Sequence, residues 1–417
     1  MPSGTNLPWV GGFNRTVILA EIRRRPDGLS RVELAERTGL TPQTVSNIVR
    51  RLLRDELVTE SGRVPSAGGK PRTNVRLNAP AYYAVGIHLD PDVTSCVVVD
   101  LSGQVIRRSH RQGSSIDEPA RTVRSLATQI RRLTARADIP AERVLGLGVA
   151  CPGPIDRERG MVVEPPNLPR WHEVPLVTEL REATGLPVLL DNDATAAATG
   201  ERWVGGTSHT GDCVFLYFGA GIGCGLVLGG QVYRGAMGNA GEFGHMTIDS
   251  RGPECFCGNR GCLEASVSPQ ALVAEAGRLS SRRSTSLELT GDPARVADDY
   301  DHLCQQANGG DRLANAVLDR AAGRVGLAAT NLVNMLDVGH IILGGRGLRY
   351  CGERFRTAID VAVNGRTIAR HMRHARVEMS VIGEDAGAIG AASLILDGAY
   401  SPTVSNLLER HEEKTHA

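Results

Sequence analysis

One imidazole and three thiols stand close together in the chain: His245, then Cys255, Cys257 and Cys262 in the run CFCGNRGC. Imidazole and thiolate are the donors that Zn²⁺ takes in closed tetrahedral sites, and four protein donors leave no open position for catalysis. The spacing therefore predicts a structural Zn²⁺ held by His245, Cys255, Cys257 and Cys262, with the intervening glycines letting the backbone wrap the ion. The alternative is a patch of reduced surface thiols. Cys96, Cys151, Cys213, Cys224, Cys304 and Cys351 lack ligand spacing and read as buried apolar side chains.

Around this cluster lie groups suited to a polyhydroxylated ligand. Asp191-Asn192-Asp193 ends an apolar run, where the strand ends of an α/β sheet form a ligand crevice. Asn192 can donate to and accept from a hydroxyl, and Asp193 can accept from one or take its proton. Asp193 also reads as a helix N-cap, since ATAAATGERW follows it. Glu242 in GEFGH and Glu264 after the cysteines add two acceptors. If a metal holds one nitrogen of His245, the other is oriented toward a ligand. The competing reading is a set of carboxylates that merely support the metal site.

A third group of residues has the chemistry of nucleic-acid contact. Ser30-Arg31-Val32-Glu33 is a capping box opening a short helix to about Thr38, after a first helix from about Asn14 to Arg25. Gly39 supplies a tight turn, and Thr41-Pro42 an N-cap with proline at the first helical position. The next helix buries Val45, Ile48, Val49, Leu52 and Leu53, leaving Gln43, Thr44, Ser46, Asn47 and Arg50 outward. This is helix-turn-helix spacing, in which the second helix enters the major groove. Amide, hydroxyl and guanidinium groups there suit base edges and phosphates. A Gly-tipped hairpin follows, with Arg63, Lys70 and Arg72 as a basic wing. The other reading is a small helical domain that docks proteins.

Charge follows this division. Residues 1–78 carry 13 Lys and Arg against 7 Asp and Glu, and the remainder 34 against 39. The asymmetry points to a polyanion partner for the N-terminal segment only, and with the helix-turn-helix spacing that partner is expected to be double-stranded operator DNA. No apolar run reaches the ~18 residues of a membrane helix, and the first residues lack a signal-peptide pattern. The chain is expected to be cytoplasmic, with no membrane partner.

Two α/β units must position the central groups. AVGIHLD and TSCVVVDLSGQVI read as two strands of a hairpin turning at Ser102-Gly103, followed by a helix near 119–137, the strand VLGLGVAC, a helix and the strand LPVLLDND. The theme recurs in CVFLYFGAGIGCGLVLGGQVYRG and LDVGHIILGGRG, with a long helix near 311–337 and a closing helix in DAGAIGAASLIL. This predicts a winged helix-turn-helix at 1–78 and an α/β lobe at 79–192, joined by the closing helix near 384–398. A second lobe with the metal site covers 193–383, and a tail 399–417.

The runs NAGEFGH, CxCGxxGCxE, DND, PGP and ILGG together make the chain resemble the ROK family of repressors, open reading frames and sugar kinases. With its N-terminal segment it looks like the repressor branch. The resemblance implies a two-lobed, actin-like, hexokinase-type fold, assembled as a homodimer or homotetramer. It makes Asn192, Asp193, Glu242, His245 and Glu264 sugar contacts, with Asp193 at the kinase's base position and Asn167 on an approaching loop.

Family kinases hold ATP phosphates with a first strand ending in DxGGT. Here that turn reads His88-Leu89-Asp90-Pro91-Asp92. Pro91 removes a backbone donor, and two carboxylates repel a triphosphate. The second loop, Gly219-Ala220-Gly221-Ile222-Gly223, keeps its glycines but lacks the hydroxyl. The expectation is a sugar-responsive repressor of operator DNA whose effector is a sugar or sugar phosphate, with no catalytic residue. An active sugar kinase, or a regulator governed by a protein partner, is the alternative.

Overall fold

The computed structural model describes residues 7–66, 69–112, 118–166, 168–205, 211–281 and 287–401; at 7–11, 62–66, 69–72 and 112 only the backbone is described. The N-terminal unit comprises α1 (Leu7–Arg23), β1 (Leu29–Ser30), α2 (Arg31–Thr38), α3 (Pro42–Arg54), β2 (Val58–Ser66) and β3 (Gly69–Leu77). Its strands order as β1-β3-β2. The helix starts follow from their caps. Ser30 Oγ accepts from the Glu33 N–H at 3.3 Å while Glu33 Oε2 accepts from the Ser30 N–H at 2.8 Å. Thr41 Oγ1 accepts from the Thr44 N–H at 3.2 Å, with Pro42 next. Ile18, Ile22, Leu34, Val45, Val49 and Leu52 form the core. Leu53 is only half-buried. The first helix starts seven residues before the expected Asn14, running through Gly11 and Gly12. It stops before Pro26, whose ring disfavours helical geometry in the preceding residue.

The first α/β unit holds β4 (Tyr83–Leu89), β5 (Val93–Asp100), β6 (Val105–Gln112), α4 (Pro119–Ala135), β7 (Val144–Cys151), β8 (Ile155–Asp156), β9 (Met161–Val162), α5 (Leu176–Thr184) and β10 (Val188–Asn192). Its sheet runs β10-β7-β4-β5-β6. Three antiparallel strands replace the expected two. Asp90 Oδ1 accepts from the Asp92 N–H at 2.9 Å, so the chain reverses there and again at Ser102-Gly103.

The second unit holds α6 (Asp193–Val204), β11 (Cys213–Phe218), β12 (Ile222–Leu228), β13 (Gln231–Tyr233), α7 (Glu264–Val267), α8 (Pro269–Ser280), α9 (Val296–Asn308), α10 (Arg312–Leu336), β14 (His340–Gly344), α11 (Gly352–Arg366) and β15 (Arg376–Met379), after which α12 (Ala386–Tyr400) returns to pack on β4 and β7 of the first sheet. Its sheet, β13-β12-β11-β14-β15, repeats the topology of the first: three antiparallel strands, then two parallel ones. The two small-residue helices α6 and α12 pack on each other between the sheets. Helices α4 and α5 cover the outside of the first sheet, and α8 to α11 that of the second. No described helix is long and apolar enough to cross a membrane.

The N-terminal unit is seated on this body. The Arg23 guanidinium at the end of α1 stacks 3.9 Å from the Trp203 ring centroid and donates to the Trp203 carbonyl. Trp203 Nε1 in turn donates to the Leu101 carbonyl at 3.1 Å, which fixes the ring. Arg143 and Glu56 add an exposed ion pair at 3.5 Å.

Candidate functional site

Sequence alternation and helix capping place the key groups at the mouth of a cleft between the two sheets. Strand β10 ends on Asn192, and α6 begins at Asp193. The cap belongs to Asn192 rather than Asp193: its Oδ1 accepts from the Ala194 and Thr195 N–H groups at 2.9 and 3.4 Å. Asp193 occupies the first helical position, where the positive end of the helix favours a carboxylate. A methyl group placed on Gly153 would lie 3.5 Å from Asn192 Nδ2 and 3.7 Å from Glu242 Oε1, so amide and carboxylate flank one spot. Asp191 does not line the cleft. It is fully buried, and its Oδ2 accepts from Arg234 Nε at 2.8 Å.

Glu242, His245 and Glu264 come from the far wall. Glu264 Oε2 accepts from the Ile222 N–H at 2.8 Å and so pins the glycine loop between β11 and β12. Burial raises the Glu242 and Glu264 carboxyls above their usual range, opposed at Glu242 by His245 and at Glu264 by that backbone bond. Asn167 lies outside the described residues. Asn192, Asp193, Glu242, His245 and Glu264 thus line a single cleft. Among the described residues its lining also includes Asp90 and no lysine or arginine, so it suits an uncharged polyol rather than an anion.

His245 links this cleft to the thiols. One ligand atom from each of His245, Cys255, Cys257 and Cys262 lies within 4.8 Å of the others. Cys257 and Cys262 Sγ are 3.7 Å apart, and Cys255 Sγ lies 3.6 Å from His245 Nδ1. A tetrahedron with Zn–S of about 2.3 Å and Zn–N of about 2.05 Å needs roughly 3.8 and 3.6 Å. The donors fit such an ion. His245 Nε2 is left on the cleft side, 4.0 Å from Glu242 Oε2. The loop is built for this wrap: Gly261 has φ 75°, and a Cβ there would fall 1.7 Å from the Asp249 carbonyl oxygen.

The β4–β5 turn, where the resemblance places a phosphate grip, is different. At the β4–β5 turn the backbone donors of Asp92 and Val93 are already engaged by Asp90 Oδ1, at 2.9 and 3.4 Å, and Pro91 has none. Desolvation and the neighbouring Asp90 charge push the Asp92 carboxyl up to about 6. His88 is buried, with Nε2 3.3 Å from Tyr217 Oη and 3.9 Å from Asp193 Oδ2. A Cβ on Gly387 would lie 2.6 Å from the imidazole Cγ, so glycine there makes room for the ring.

Burial disfavours the His88 imidazolium, yet Asp193, Asp90 and Asp385 outweigh it and hold its pKa above 6.5. A raised folded-state pKa stabilises the protein fully below the unfolded value near 6.5, and that stability is lost as pH rises through the folded value. The denaturation deficit of His88→Gln should therefore be larger at about pH 6 than at about pH 9. An equal deficit would show that the ring acts only by packing.

On α3, Gln43, Asn47 and Arg50 are exposed, while Thr44 and Ser46 are half-buried. Thr44 Oγ1 is engaged with Thr41 Oγ1 at 2.9 Å, and Arg50 Nη1 reaches Asn47 Oδ1 at 3.3 Å. Arg63 lies on β2 and Lys70 and Arg72 on β3, but their side chains lie outside the described residues. Sequence reasoning missed Tyr217 in the cleft and the Arg23–Trp203 contact. The aromatic FLYF run was the only available signal for Tyr217, and nothing local marked the other.

Comparison with known proteins extends over both parts. Residues 84–398 match the ROK family and residues 13–68 the MarR family. The xylose repressor of Caldicellulosiruptor bescii is 29% identical over 379 residues, 89% of this chain and 93% of its own. The glucokinase of Thermotoga maritima is 32% identical over 318 residues, covering 76% of this chain and 98% of its own. A ROK transcriptional regulator described as a homologue of the Escherichia coli Mlc protein superposes with TM-score 0.77 at 24% identity, covering 97% of this chain and all of that one.

Proposed function

This chain belongs to the ROK family, and on that footing we propose that it is a sugar-responsive transcriptional repressor rather than a sugar kinase. The asymmetry of the cleft carries this reading. Five groups suited to hydroxyls converge on one cleft from its two walls, while the turn expected to grip phosphate has spent its donors on Asp90. Phosphoryl transfer depends almost wholly on positioning and charge neutralisation, and here carboxylates stand where a phosphate grip is needed. The winged helix of 1–78 reads operator DNA as part of a homodimer or homotetramer. The body to about residue 398 senses the effector.

The effector is an uncharged pentose or hexose. Asn192 and Asp193 contact its hydroxyls from one side, and Glu242, Glu264 and His245 Nε2 from the other. Zn²⁺ is the ion for the cysteine cluster. Held by Cys255, Cys257 and Cys262, it would bind His245 through Nδ1 and so fix the ring that offers Nε2 to the sugar.

One helix connects the site to the DNA-binding unit. Helix α6 starts in the cleft at Asp193 and, over 12 residues or about 18 Å, ends next to Trp203 against Arg23 of α1. Sugar closing the cleft tilts α6, and α1 with it, changing the spacing of paired recognition helices. Arg23→Ala should keep sugar binding and operator binding but lose most of the change that sugar makes in operator affinity, measured by DNA titration. A full sugar response in that variant would remove α6 from the route.

The functional test pairs calorimetry on a panel of free pentoses and hexoses with a coupled ADP assay. Binding without ADP release is expected. Turnover at the ~1–100 s⁻¹ of working kinases would overturn the reading.

A further inference from the structure

A second concentration of charge lies far from the helix-turn-helix, in a region whose summed charge is negative. Strand β6, helix α4 and the α4 C-cap carry eight arginines and no Asp or Glu. Strand β6 is an edge strand, and its neighbour in space is α4. Charge on an edge strand repels stray strands, but that explains β6 alone and not the arginines on α4.

Between the two elements runs a groove lined by Arg111, Arg132 and Arg136 with Ser125, Thr128 and Gln129 and, among the described residues, by no carboxylate. The lining is tied together from both sides. Arg111 Nη1 donates to Ser125 Oγ, and Gln129 Nε2 donates to Ser109 Oγ at 3.1 Å. Arg132 and Arg136 stand four residues apart on one helical face, a like-charge spacing that is destabilising when uncompensated. Among the described residues neither they nor Arg111 forms an ion pair. Arg108 on the same strand does, with Asp385 at 3.1 Å, and it lies outside the groove.

We propose that this groove binds a small dianion of the phosphate-ester class, separately from the interlobe cleft. Guanidinium forks match phosphate oxygens in pairs, and hydroxyl and amide donors complete the shell. The carboxylates Asp90, Asp193, Glu242 and Glu264 turn such an anion away from the cleft, so the two sites divide ligands by charge. The chain can then respond to a free sugar at one site and a phosphorylated metabolite at the other.

The test is calorimetry on the full chain with inorganic phosphate and glucose 6-phosphate. Both should bind, more weakly as salt rises, and Arg132→Ala/Arg136→Ala should weaken inorganic phosphate at least tenfold. All four arginines tested are exposed, and Arg121→Ala/Arg124→Ala, outside the groove, should leave phosphate binding nearly unchanged. Equal losses from both pairs would mean a diffuse attraction for an extended acidic partner, and would overturn the site. So would absence of phosphate binding in the unaltered chain. Inorganic phosphate has no sugar hydroxyls, so its result stands apart from whether free sugars bind the cleft.

Discussion

Replacing Asn47 and Arg50 together by alanine is expected to weaken operator binding by roughly 10²–10⁴-fold, from ~1–3 kcal/mol per base-edge contact. Both side chains are exposed on α3, and neither contributes to the Val45, Ile48, Val49 and Leu52 face that holds the helix in place. The fold should survive, with an unfolding midpoint close to that of the unaltered chain. Because Arg50 Nη1 lies 3.3 Å from Asn47 Oδ1, the two losses should not simply add. Anisotropy titration of an operator fragment recovered by genomic selection reads the effect. Undiminished affinity in the double variant would mean that α3 does not read the DNA.

Cys257→Ser should cost the protein its stoichiometric metal and weaken sugar binding at least tenfold. Cys257 is the exposed member of the cluster, so the change disturbs no core packing. Its sulfur is 3.7 Å from that of Cys262, within one coordination sphere. Thiolate–zinc bonds supply much of the ~10–16 kcal/mol apparent binding energy of such sites, and three donors hold the ion far less firmly than four. Without it the His245 ring loses the constraint that presents Nε2 to the cleft. Elemental analysis and calorimetry measure the two effects. One zinc per chain retained in the variant would refute the assigned ligand set, and loss of metal with unchanged sugar affinity would detach the cluster from the sugar site.

Local grammar carried much of the fold. Ser30 with Glu33, Gly39, and Thr41 with Pro42 each state a helix boundary within four residues, and the structure places the boundaries there. The CFCGNRGC run likewise states its own geometry, because short glycine-containing spacings bring donors together without help from distant chain. Errors arose where two local readings competed. Asn192 and Asp193 can both cap α6, and the choice depends on which side chain the end of β10 turns back over the helix.

Long-range juxtapositions were not legible. His88 meets Tyr217 across 129 positions and Gly387 across the whole body of the chain, and Arg23 meets Trp203 across 180. No periodicity encodes such pairs; they exist only once the two sheets are stacked with α6 and α12 between them. The groove arginines were visible in VIRRSHRQ and PARTVRSLATQIRRLTAR, yet a charge summed over the whole remainder of the chain averaged them away.

The central claim is that sugar in the cleft controls DNA at the other end of the molecule. Its most direct test is operator affinity of the full chain with and without a free sugar that calorimetry shows to bind. A clear shift in affinity is expected, of about 5–150-fold for a typical allosteric coupling. An operator affinity that stays the same with the cleft saturated would contradict it.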